Sequence, residues 1–76
     1  MQILINGEEP FKCLKNTFAV AATSAGYTLN YSADKEVWTA YTQATPANET
    51  LIVNNVTPYM WFKLAGNTDA ETRIIL

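Results

Sequence analysis

A chain of 76 residues is expected to form a single small domain, 1–76. One this short buries only ~60% of the surface its unfolded form exposes, so disulfides, a metal or partner copies usually reinforce it. A single cysteine, Cys13, excludes an internal disulfide, and the lack of histidine removes the commonest zinc ligand. With 5 basic and 7 acidic residues the net charge is −2. Lys12, Lys15, Lys35, Lys63 and Arg73 are spread along the sequence, and phosphate-backbone binding calls for clustered cations, so no nucleic-acid partner is expected.

Gln2-Ile-Leu-Ile5 reads as a first strand, stopped by the turn dipeptide Asn6-Gly7. Residues 11–14 form a short return strand after Pro10. Residues 16–23 alternate, with Phe18, Val20 and Ala22 on one face; Ser24-Ala-Gly26 ends that run too early for a typical helix. Tyr27, Leu29 and Tyr31 alternate next, followed by the polar break Ser32-Ala-Asp-Lys-Glu36 and a second β-rich run, Val37-Trp-Thr-Ala-Tyr-Thr42. Alternation, turn cluster and second run together predict a β-hairpin. Residues 43–49 read as a loop around Pro46, residues 50–54 as a strand, and Asn55-Val-Thr-Pro58 as a corner. Residues 59–64 and 71–76 are further strands, separated by the turn at 65–70. In the first of these, Met60, Phe62 and Leu64 share one face, which reads as core, and Tyr59, Trp61 and Lys63 share the other. The fold class predicted is all-β, with six to eight short antiparallel strands packed as a small sandwich.

Chemistry finds little purchase. Without histidine, acid–base work falls to carboxylates or lysines. Glu8 and Glu9, Asp34 and Glu36, and Asp69 and Glu71 all fall in turns, where such residues are solvated or bond backbone amides. No ligand-loop spacing supports calcium. Cys13 has no histidine to activate it and reads as a small buried residue. The expectation is no enzyme, no catalytic residue, no metal site and no cofactor. Six aromatics, Tyr27, Tyr31, Trp38, Tyr41, Tyr59 and Trp61, serve either as core or as a sugar-stacking platform. By parity Tyr59 and Trp61 are the pair left for an interface.

Two segments resemble a known family. Tyr27-Thr-Leu-Asn-Tyr-Ser-Ala-Asp-Lys-Glu-Val-Trp38-Thr resembles the Y-x-L-x-Y-S-x-D-G-x-x-W-T hairpin of small immunoglobulin-like or fibronectin-III-like modules, with Lys35 in place of the turn glycine. Leu51 to Phe62 resembles the fibronectin-III L-x-P-x-x-x-Y corner, with Phe62 where that family has tyrosine. The resemblance implies an immunoglobulin-like β-sandwich. In length, Asn/Thr-rich hairpins and a single unit of this kind, the chain is also similar to the auxiliary (decoration) proteins of tailed-bacteriophage capsids.

That second likeness implies a virion structural protein on the capsid surface, binding the major capsid protein or another virion protein, with self-association as a further option. No stretch approaches the ~20 apolar residues of a membrane helix, and Met1–Ile5 lacks the marks of a signal peptide. Synthesis in a host cytoplasm and no membrane partner are therefore expected. The three Asn-x-Ser/Thr triplets then read as chance. Candidate interface residues are Trp61 and Tyr59 as anchors, with Ile3, Ile5, Ile74 and Leu76 on terminal strands expected to be sheet edges. The alternative is a carbohydrate-binding or adhesive module that presents its aromatics to a host glycan.

Overall fold

The computed structural model describes residues 1–21, 27–45, 50–54 and 56–76, apart from the side chains of 42–45 and 50. Ala22, the stop at 24–26, the loop residues 46–49 and the corner residue Asn55 lie outside the described residues. Eight strands follow in chain order: β1 (Gln2–Ile5), β2 (Phe11–Cys13), β3 (Phe18–Ala21), β4 (Tyr27–Ser32), β5 (Thr39–Thr45), β6 (Thr50–Val53), β7 (Met60–Ala65) and β8 (Thr72–Ile75). They form two antiparallel four-stranded sheets, ordered β1-β8-β3-β6 and β2-β7-β4-β5. The expected all-β, sandwich-like class is what the structure shows.

The period-2 pattern puts one set of side chains from each sheet inside. Phe11, Phe18 and Phe62 meet there with ring centroids 4.7–6.0 Å apart. Leu29, Leu64, Val20 and Val53 close around them, fully buried. Met60, Phe62 and Leu64 do face the core, as their parity predicts. Tyr27 is also buried, and Tyr31 and Tyr41, edge-to-face with each other at 6.4 Å, pack against the core.

Three expectations about the elements are corrected. β2 is a strand but not the return strand of β1: it pairs with β7 in the other sheet. The Asn6-Gly7 turn carries the chain across the sandwich, with Gly7 at φ 59 donating its N–H to Asp69 O at 2.7 Å. Buried Asn67 fastens the same junction through Gly7 O and Thr72 Oγ1, both at 2.9 Å. β5 starts at Thr39 rather than Val37 and runs through Thr45, into the stretch read as loop. Its start is late because the Val37 N–H is bound to the Asp34 carboxylate. Finally, β8 is not an edge. It lies between β1 and β3, and the sheet edges are β1, β6, β2 and β5.

Candidate functional site

The outer face of the β2-β7-β4-β5 sheet gathers groups that are far apart in sequence. Register aligns Lys12, Trp61 and Ser32 across β2, β7 and β4, and Lys63 with Asn30 and Ala40 in the next outward row. Lys12 Nζ lies 5.7 Å from the Trp61 ring centroid and 5.8 Å from that of Tyr59. Lys35 Nζ is 4.3 Å from the Trp61 ring, and Lys63 Nζ is 4.6 Å from the Trp38 ring. β2 and β4 flank β7, so Trp61 stands between an ammonium from one side and an ammonium from the loop on the other. Each such contact contributes about 0.5–1 kcal/mol at an exposed site. Among the described residues none of these three lysines is in an ion pair with a carboxylate. Their charges are held in place by rings and remain available.

The β4–β5 loop that carries Lys35 is rigidly tied. Ser32 Oγ accepts the N–H groups of Asp34 and Lys35 at 3.2 and 2.9 Å and donates to Asp34 Oδ1 at 2.9 Å. The same carboxylate oxygen accepts from the N–H groups of Glu36 and Val37 at 2.9 and 3.1 Å. Those two backbone donors and the Ser32 hydroxyl hold the Asp34 carboxyl below its ordinary pKa. Trp38 Nε1–H closes the loop onto Lys35 O at 3.2 Å. Asp34 is thus turn chemistry, as its position in the sequence suggests. Buried Cys13 points its thiol at Lys15 O and Thr17 O.

Tyr59 precedes β7 in a left-handed conformation, φ 68, and is 64% exposed. Its N–H is anchored on Cys13 O at 2.8 Å. Trp61 is half-buried on the same face. The two expected anchors are therefore brought together, and Lys12 joins them. The other expected interface residues are placed differently. Ile5 and Ile74 are core residues, 3% and 0% exposed, and cannot reach a partner while the sandwich is intact. Ile3 and Leu76 are half-buried against that core. On these strands the outward apolar residues are Leu4 and Ile75. Of the six aromatics weighed as a platform, Tyr27, Tyr31 and Tyr41 belong to the core or its margin. The last two line a cleft of about 340 Å³ with Val56, Thr57, Met60 and Phe62.

The lysines are what the sequence reading missed. They look scattered along the chain, yet three of the chain's five cations converge on one face. Alternation of Tyr59, Trp61 and Lys63 was a visible signal for part of this. The arrival of Lys12 depends on β2 pairing with β7, which no local pattern announces. No protein-family model, curated protein or solved structure matches the chain.

Proposed function

We propose that this chain is a non-enzymatic binding module that docks the Tyr59–Trp61 face onto an acidic protein surface. The observation that carries this reading is the set of three ring-held lysines with no carboxylate partner among the described residues. Interface hot spots are enriched in Trp, Tyr and Arg. Lysines already fixed on rings lose less side-chain freedom on binding than free ones do. A bulky residue held at positive φ fits the same role, since strain of this kind collects at functional positions.

Two rivals fare worse on the same geometry. A sugar stacking on Trp61 or Trp38 would have to displace Lys35, Lys12 or Lys63 from the ring faces. A nucleic-acid backbone is weakly held by three cations, because each neutralised phosphate adds separately to affinity. The auxiliary capsid role remains the biological setting we favour, with the major capsid protein as the acidic partner and the capsid surface as the location. An immunoglobulin-like arrangement is part of that proposal. It is supported by the β4–β5 hairpin beside β7, which carries the residues of the family likeness. One departure stands: the last two strands of an immunoglobulin domain are neighbours in one sheet, whereas β7 and β8 lie in different sheets.

Titration with poly-L-glutamate, followed by tryptophan fluorescence, tests the docking face. Binding is expected to weaken with salt and to fall by roughly tenfold in Lys35→Gln combined with Lys12→Gln. Equal or tighter binding of an oligo-dT strand would overturn the choice of partner class. For the capsid setting, a major capsid protein gene is expected beside the gene for this chain, and the chain is expected to co-sediment with particles of that protein. Retention in the supernatant would withdraw that assignment.

A further inference from the structure

The opposite face of the protein carries a surface of different chemistry. In the β1-β8-β3-β6 sheet, register places Gln2, Ile75, Ala19 and Ile52 in one outward row across the four strands. Leu4, Arg73 and Ala21 form the neighbouring row. Leu4, Ile75 and Ile52 are 58%, 45% and 59% exposed. The two alanines on β3 leave a shallow strip beside the Ile75 ridge on β8. Arg73 is the one charge among these outward residues of the described strands. Charged residues normally interrupt an exposed sheet face of this size, and contiguous apolar patches on monomers mark interaction sites.

The geometry points to a second copy of this chain as the occupant, packed sheet on sheet about a two-fold axis parallel to the strands. That rotation lays β1 over the partner's β6 and β8 over the partner's β3. Ile75 then rests on the partner's Ala19, and Ala19 receives the partner's Ile75, so large meets small at both symmetry-related contacts. Arg73 falls over the partner's Ala21 rather than over its own equivalent. Its guanidinium can run along the strand toward the partner's Glu71, which is exposed. Facing sheets pack about 10 Å apart with their strands nearly aligned, which fits this axis.

Area sets the strength. The protein measures 26 × 25 × 20 Å, so a broad face covers roughly 600 Å² and a pair hides about 1,200 Å², the lower end for a specific interface. The dimer is therefore reversible and concentration-dependent. It supplies the reinforcement that a chain with one cysteine otherwise lacks. It also leaves the lysine–aromatic faces pointing outward on both sides, giving a two-ended connector.

Sedimentation equilibrium of the full chain, from micromolar concentrations to about 1 mM, tests this. The expected result is a reversible monomer–dimer equilibrium that Ile75→Lys weakens by roughly tenfold or more. Ala19→Leu is the sharper variant. It is expected to weaken the dimer although it adds apolar surface, because the partner's Ile75 occupies that space; strengthening instead would mean indiscriminate stickiness and overturn the packing. Trp61→Ala, on the other face, is expected to leave the equilibrium unchanged. Circular dichroism confirms the fold of each variant, and Ile52→Glu on edge strand β6 replaces any that unfolds. A wild-type chain that stays monomeric throughout, or a dimer lost in Trp61→Ala and kept in Ile75→Lys, overturns the proposal.

Discussion

Tyr59 and Lys35 are the non-glycine residues at positive φ among those described, at 68° and 65°. A left-handed conformation costs an ordinary residue about 1–2 kcal/mol. Lys35 holds the position where the family pattern it resembles carries glycine, and the structure gives the reason: the turn requires a left-handed residue there. What lysine gains in exchange is its place over Trp61. Tyr59 is mostly exposed, so its ring does little for the core. Tyr59→Gly is therefore expected to raise stability in urea denaturation by about 1 kcal/mol while weakening poly-L-glutamate binding. Loss of stability instead would show that the ring supports the fold. Asp34 makes a pH prediction. Its carboxyl is held below the ordinary value by the Glu36 and Val37 N–H groups and the Ser32 hydroxyl. It therefore binds fewer protons folded than unfolded, and its stabilisation is complete above the unfolded value, roughly pH 4. That stabilisation is lost as pH falls through the lower folded value. The stability difference between the protein and Asp34→Ala is expected to be constant near neutrality and to shrink in acid. A difference that does not shrink below pH 4, roughly the unfolded value, would place the effect elsewhere.

Elements were legible from local pattern, and so was the β4–β5 hairpin; the pairing of strands distant in sequence was not. Alternation in residues 60–64 correctly separates the core face from the outer face of β7, because parity is a property of one strand alone. On β8 the expectation rested on edge position instead of parity. Ile74 was offered to a partner on a terminal edge strand, but β8 lies between β1 and β3, with Ile74 in the core and Ile75 facing out. A one-residue change of facing exchanges every side chain between the two sides. The consequence is measurable. Ile74→Ala is expected to cost about 2–5 kcal/mol, whereas Ile75→Ala should stay within about 0.5 kcal/mol in the dilute monomer. Comparable costs in chemical denaturation would contradict the placement. β2 teaches the same lesson from another side. Asn6-Gly7 is a strong hairpin signal, yet Gly7 bonds to Asp69 and the chain crosses to the other sheet. The competing interaction comes from residues about 60 positions away, beyond the reach of any local reading.

At the scale of the whole molecule, the sandwich has two outer faces of opposite character, one apolar and one of lysines on aromatic rings. The ends of the chain meet, with the Leu76 N–H on Met1 O at 2.7 Å and the Met1 ammonium on Leu76 O at 3.0 Å, so β1 and β8 are pinned together along their length. Composition and periodicity by themselves determined that the chain is all-β, that Phe62 and Leu64 are core, that Asp34 caps a turn and that Tyr59 and Trp61 share a face. All of these follow from neighbours within a few residues, where backbone geometry leaves few choices. Beyond the β4–β5 hairpin, the tertiary structure alone decided which strands lie side by side. That decision brought Lys12 and Lys35 to the face that Tyr59, Trp61 and Lys63 already shared, and set Leu4, Ile75 and Ile52 together on the other. Strand pairing is fixed by the burial of the whole core, a long-range energy that no single segment contains.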